Sequence, residues 1–399
     1  MKTIYQFLAF IVCLGIISCK KENATQVTLN YTVKVEHPIG YKTVAAANAT
    51  VKATNSFTGE TKTVQTDANG EAHFSNLLPG SYQFAASKTL AAQEANEQTG
   101  FDAEIFLNAS LNNYAIQETG TVTLQLKGSA VGGWVIKQIY FSGAPNTTNF
   151  TNDQFYELYN NSSETLYADS ICIGDIVGNP YLSSISKPSG FANDTEYVYF
   201  QNIFMVPGNG KTFPVAPGAS FLIARTAINH KSDSKLGNPN SPVDLGTGIA
   251  DAEVYYAESG RDIDNPDVPN MLIKHFGTAT AFDWITTVYG PSIVIFKHGD
   301  VDNLPKSLEP NSTSTRTYPK LPVSAILDAI DCTSNGNVPQ FKRLPANVDA
   351  GFQFVTKSYS GEALRRKVKT TINGRRVLQK TNNSSADFER VSVPTPKTW

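Results

Sequence analysis

The chain has little sulfur and little charge: four cysteines, three methionines, and only 17% charged residues among 399. No Cys-x-x-Cys pair occurs, and no His-Glu-x-x-His, Gly-x-Ser-x-Gly or P-loop signature. A zinc-protease helix, a serine-hydrolase elbow and a nucleotide cradle are therefore not written locally in the chain. The five histidines (His37, His73, His230, His275, His298) lie far apart without ligand spacing, so any zinc site would have to be assembled by the tertiary fold. A formal net charge of −2 gives no reason to expect nucleic acid as a partner. A long apolar run is missing too. Ile4 to Ile17 is apolar apart from Gln6 and Gly15, and Lys20-Lys21-Glu22 follows closely. A spanning helix needs ~20 apolar residues for a ~30 Å hydrocarbon core, so this run is too short to cross a membrane.

What is present is Thr, Asn, Ser, Tyr, Phe and Gly in quantity, a composition that favours strands joined by polar turns. The opening run behind Lys2 reads as a signal-peptide core. The stretch Ile16-Ile17-Ser18-Cys19 resembles a bacterial lipobox. That resemblance implies cleavage after residue 18, acylation of Cys19 and attachment to the outer-membrane lipid leaflet. Each buried methylene of such an anchor contributes about 0.8 kcal/mol. The expected division is a leader over 1–18, a lipidated tether over 19–24, a first module over 25–127, a linker over 128–133 and a large domain over 134–399. The anchored protein would be surface-exposed or periplasm-facing.

Within the first module, Tyr31-Thr32-Val33-Lys34-Val35 and Ala49-Thr50-Val51-Lys52-Ala53 alternate strictly, as half-buried strands do. Asp67-Ala68-Asn69-Gly70 is a tight-turn sequence, Leu78-Pro79-Gly80 a second, and Thr121–Leu126 a plausible last strand. The run TDANGEAHFSNLLPGSY resembles the carboxypeptidase-regulatory-like or collagen-adhesin-B-type domain, which implies an immunoglobulin-like sandwich without catalytic duty. Gly128–Gly133, GSAVGG, reads as a flexible linker.

The remainder begins with IKQIYFSGA and DQFYELYNNSSETLYADS, which resemble the first half of lamin-tail domains. In an extended strand Glu157 and Tyr159 share one face while Leu158 points to the core. PKLPVSAILDAID, LPANVDAGF, GEALRRKV and GRRVLQKTNNSSADFERVSVPTPKTW, with ADAEVYYA and DIDNPDVPNM, resemble the family catalogued as domain of unknown function 4876. That resemblance spans roughly Trp134 to Trp399 and implies a β-rich extracytoplasmic lipoprotein, sometimes associated with outer-membrane uptake systems. The expected fold class is all-β: an immunoglobulin-like sandwich plus a larger lamin-tail-like sandwich with long loops.

Charge is unevenly placed. Residues 141–311 carry 19 acidic against 9 basic side chains, and 339–399 carry 12 basic against 4 acidic. The basic tail is expected to fold back on the acidic middle. Asp262-Ile263-Asp264-Asn265, with Asp267 behind it, and Asp300-Val301-Asp302-Asn303 place paired carboxylates on one side of an extended chain. Asp262, Asp264, Asp267, Asp300 and Asp302 are therefore candidate calcium ligands, the competing reading being two loops held by Asx turns. Tyr197, Tyr199, Tyr255 and Tyr256 are candidate stacking rings for a ligand, against ordinary packing within a sandwich. An envelope location permits a disulfide between Cys172 and Cys332; the alternative is two buried free thiols. The functional expectation is a non-catalytic outer-membrane lipoprotein that captures a nutrient or metal complex beside a barrel transporter. The alternatives are a surface adhesin or envelope scaffold and, behind both, a calcium-dependent hydrolase.

Overall fold

The computed structural model describes residues 27–38, 41–99, 104–130, 133–147, 149–162, 165–178, 188–277, 283–336, 341–372 and 374–399. The leader, Cys19 and the tether lie outside the described residues.

The first module contains β1 (Leu29–Glu36), β2 (Thr50–Asn55), β3 (Thr61–Gln65), β4 (Glu71–Leu77), β5 (Gly80–Leu90), α1 (Ala92–Thr99), β6 (Ile105–Ile116), β7 (Gly120–Gln125) and β8 (Lys127–Ala130). One sheet runs β4-β1-β7 and the other β3-β2-β5-β6-β8. The alternation read in β1 is realised: Tyr31, Val33 and Val35 are buried and the residues between them are half-buried. Val51 and Ala53 of β2 enter the same core. The centre is an aromatic stack in which Phe84 lies 6.1 Å from the rings of both Tyr31 and Tyr82. At the first tight turn, Asp67 Oδ1 accepts the amides of Asn69 and Glu71, both at 2.9 Å. Gly70 takes φ 78° there. A Cβ at that position would meet the Val35 carbonyl at 2.5 Å, so glycine is required. The stretch expected to be a flexible linker is partly a strand instead: Lys127–Ala130 pairs with β6, Ile105 opposite Ala130. The pairing with β6 removes the freedom that glycine-rich composition implied.

The large domain contains β9 (Trp134–Tyr140), β10 (Phe155–Asn160), β11 (Leu166–Tyr167), β12 (Cys172–Ile176), β13 (Tyr197–Met205), β14 (Pro214–Val215), β15 (Ser220–Ala224), β16 (Ala252–Glu253), β17 (Leu272–Phe276), β18 (Ser292–Phe296), β19 (Lys306–Leu308) and β20 (Thr317–Pro322). It continues with β21 (Ile326–Asp331), β22 (Ala363–Arg366), β23 (Val368–Ile372), β24 (Arg375–Leu378), a single helical turn α2 (Ser384–Asp387), and β25 (Phe388–Val391). A six-stranded sheet, β16-β15-β10-β9-β22-β25, faces a second sheet ordered β19-β20-β13-β12-β18-β21, with β17 also on β13. Between them Trp284 stacks on Tyr156 at 4.6 Å and packs on Phe204 at 4.8 Å.

The Glu157 and Tyr159 face of β10, expected to lie away from the core, is covered. Every residue of β9 and β10 is buried. Glu157 pairs with Lys137 at 2.8 Å, and the Tyr159 hydroxyl donates to the Arg376 carbonyl at 2.7 Å. The Lys137 ammonium also donates to the carbonyl of Thr398 at 2.8 Å, and Lys397 pairs with Asp251. The basic tail thus packs back across the acidic middle.

Candidate functional site

The structure does not gather the candidate calcium ligands. Asp262 accepts the Tyr256 amide at 2.7 Å and the Ile263 amide at 2.8 Å. Burial, with Asp283 adding repulsion, pushes its carboxyl up to about 6. Asp264 accepts from Asn270 at 2.8 Å, and the amide of Asp267 donates to Asn265 Oδ1 in an Asx turn. Asp300 accepts from Asn303 at 3.0 Å, while Asp302 pairs with Lys274 of β17 at 3.0 Å. The two Asp-x-Asp-Asn segments are therefore separate loops, each closed by its own local hydrogen bonds. Among the described residues only Asp67, Glu71 and His73, in the first module, bring three ligand atoms within 4.8 Å of one another.

Three of the four candidate stacking tyrosines are also engaged. Tyr199 is buried, lies 3.7 Å from the Phe191 ring at 9°, and donates its hydroxyl to Asp194 at 2.5 Å. The Lys320 ammonium sits 4.5 Å above the ring of Tyr197. Tyr256 meets Phe276 edge-on at 4.8 Å. Tyr255 and Tyr256 fall beyond the two-residue β16, so the strand alternation assumed for them does not operate. Cys172 and Cys332 are free and buried. Cys172 belongs to a core cluster with Phe200 and Phe296, and Cys332 to the separate inter-sheet core; the disulfide expectation is corrected by that separation. Burial pushes the Cys172 thiol up to about 12 and holds Cys332 well above the usual thiol range, so neither is a ready nucleophile.

A cleft lies where none of these residues sits. It is an open cleft of about 390 Å³, lined by Gly133, Trp134, Thr165, Leu166, Tyr167, Gly210, Lys297, Ile326, Leu327 and Lys380. Trp134 opens β9, Lys297 follows β18, Ile326 and Leu327 open β21, and Lys380 follows β24. The cleft thus forms at one end of the sandwich, where strands of both sheets begin or stop. Tyr167 is placed by the short ladder of β11 on β14, opposite Pro214. Gly210 is placed by Asp169, whose carboxylate accepts the amides of Gly210, Thr212 and Phe213 at 2.8–2.9 Å. Burial opposes ionisation of Asp169, but these amide bonds hold its carboxyl down at about 2.

Two ammonium groups converge on this apolar cleft. Lys380, 4% exposed, donates to the Leu327 carbonyl at 2.7 Å. Burial pulls it below the ordinary lysine value, and neighbouring Asp328 opposes that pull. Lys297, exposed at the mouth, donates to the Tyr167 carbonyl at 3.2 Å. Asp328 and Asp387 are held instead by Arg366, at 2.5 and 3.2 Å. An ammonium has three N–H donors, so each lysine keeps donors beyond its carbonyl contact. A volume of several hundred Å³, apolar walls and a few convergent polar groups is the usual form of a small-molecule site. A second cavity of about 260 Å³ shares Ile326 and Leu327 and reaches Pro38 and Lys127 of the first module. Sequence reasoning missed Lys380 and Lys297 because the first reads as one more residue of a basic tail and the second as a loop lysine; no local signal marks either.

Residues 216–395 match the model of the family described as protein of unknown function DUF4876, and residues 42–131 match the carboxypeptidase regulatory-like domain. A crystal structure of a DUF4876 family protein from Bacteroides thetaiotaomicron VPI-5482 is similar with a TM-score of 0.59 and 26% identity, covering 92% of this chain and 96% of that one. A DUF3823 family protein from Bacteroides ovatus ATCC 8483 covers 50% of this chain and 99% of its own at 12% identity, with a TM-score of 0.17, too low to carry an argument. The curated proteins contain no match. The chain thus carries a region similar to carboxypeptidase regulatory-like domains, followed by a region similar to the DUF4876 family.

Proposed function

We propose that this protein is a non-catalytic lipoprotein of the outer membrane, tethered through Cys19, that holds a small molecule in the cleft between Trp134 and Lys380 on behalf of a barrel transporter. The cleft carries this reading: about 390 Å³, walled by aromatic and aliphatic side chains, with two lysines that retain N–H donors. The strongly displaced acids elsewhere support binding over catalysis. Asp175, pushed up to about 6 by burial, accepts from Trp284 Nε1 and Asn202, both at 2.9 Å. Asp153, also raised to about 6 by burial, accepts from Tyr140 and Ser241. Such hydrogen bonds to framework side chains fit structural duty.

Anchor and partner can be tested together. Metabolic labelling with a fatty acid should mark the wild-type chain and fail to mark Cys19→Ala, and cross-linking on intact cells should recover a barrel protein only with the wild type. An unlabelled wild-type chain would end the anchor proposal, and cross-linking that recovers no barrel protein would end the transporter proposal.

A further inference from the structure

Resting on the reading of the cleft as a binding site, we propose that its ligand is a small organic anion, with its acid group at Lys380 and Lys297 and its apolar body along Trp134, Leu166 and Tyr167. The chemistry of the cavity excludes the other charge types. Lys380 is almost wholly buried, and its one hydrogen bond goes to a neutral carbonyl. The acids whose fields reach the two lysines are already committed: Asp328 and Asp387 to Arg366, and Asp169 to three backbone amides. The carboxylates are thus turned to other donors while the ammonium groups line the cavity. An organic cation would meet two like charges there. A hydrocarbon would leave the buried Lys380 donors without acceptors, and a neutral carbonyl or hydroxyl would meet them only through a weaker, uncharged bond. An anion accepts from both lysines through charge-assisted hydrogen bonds, which are stronger than neutral ones. The rest of the wall is mostly apolar: Trp134 is 5% exposed to solvent, and Leu166, Ile326 and Leu327 line the same cleft. The lining therefore asks for a hydrophobic body on the same molecule, which distinguishes this ligand from phosphate or sulfate.

The test is calorimetric titration of the full chain with 2-naphthoate, its neutral amide 2-naphthamide, and 2-naphthylmethylammonium. The naphthoate should bind at one site and about tenfold or more tighter than the amide, the size of one good charge-assisted contact. The ammonium compound should not bind. Lys380→Met should weaken naphthoate by about tenfold and leave the amide unchanged. Lys297→Met, at an exposed position that does not endanger folding, should weaken it in the same direction by a smaller factor. Equal binding of amide and naphthoate, or naphthoate binding unaffected in both lysine variants, overturns the anion assignment and leaves the cleft as a binding site. No binding of any of the three up to millimolar concentration overturns the cleft reading as well.

Discussion

The two halves of this chain bury different kinds of side chain. In the first module the buried polar residues are His37, Asn55, Thr66 and Asn108, and the core is aliphatic and aromatic. The large domain buries Lys137 against Glu157, Arg225 against Asp283, Arg343 against Asp331, and Arg366 between Asp328 and Asp387. The cause is visible in the strands. In the module β1, β2 and β5 alternate between buried and more exposed positions, whereas β9 and β10 are covered on both faces. A sheet with both faces covered must either be apolar throughout or bring each charge in with its partner. This domain does the second, and its loops and tail supply the partners.

The largest test of that contrast is Arg366. Its guanidinium reaches Asp328, Asp387 and the carbonyls of Ile136 and Gln379. Arg366→Ala would strand two buried carboxylates, a change that costs about 3–5 kcal/mol when one partner of a buried pair is removed. Urea unfolding should show that loss in the large domain alone. A loss under about 1 kcal/mol would mean the buried charges are incidental to stability and the contrast between the halves is only one of appearance.

What the sequence made legible follows the same division. In the module, β1, β2 and the Asp67–Gly70 turn were readable because the determinants are local: alternation, and an aspartate bonding amides two and four residues on. In the large domain the strand content and family resemblance were readable, but the site was not. Glu157 was assigned away from the core because period-two reading cannot see Lys137 or Thr398 arriving to cover it. The Asp-x-Asp-Asn loops looked like a shared cation site because their chemistry is alike; only the fold shows them apart. Lys380 meets Leu327 across 53 positions, and Lys297 meets Tyr167 across 130. A cleft assembled over such separations leaves no periodic trace.

Acidification should move the two halves in opposite directions. Burial raises Asp153, Asp175 and Asp262 to about 6, and Glu253 to about 7, from ordinary values of 3.8 and 4.5. The folded large domain therefore binds protons that the unfolded chain has released, so its stability rises as pH falls from 7 towards 5. His230, lowered to about 4 by burial, and His275, also lowered by burial, oppose this below 6.5 but are two groups against four. In the module the displaced histidine is His37, lowered by burial. The folded module holds it neutral, so stability is lost as pH drops below 6.5. Calorimetric scans at pH 7 and pH 5 should raise the transition of the large domain and lower that of the module. Transitions that shift together would show that the halves unfold as one unit.

The smallest expected effect compares two peripheral rings. Phe57 is 96% exposed at the turn between β2 and β3. That turn is held by Asn55 Oδ1, which accepts the amides of Phe57 and Thr58 at 2.9 and 3.0 Å. The ring contributes nothing to those bonds, so Phe57→Ser should change stability by no more than about 0.5 kcal/mol, as exposed substitutions usually do. Trp399 sits under Lys137 at 4.5 Å and Arg376 at 4.6 Å, with Tyr159 edge-on at 6.0 Å. Trp399→Ala removes two cation–π contacts at about 0.5–1 kcal/mol each and uncovers the Lys137–Glu157 pair, so about 1–2 kcal/mol should be lost. Equal effects at the two positions would mean the tail does not shield the buried charges of β9 and β10, and the origin of the charged interior would have to be sought in the loops alone.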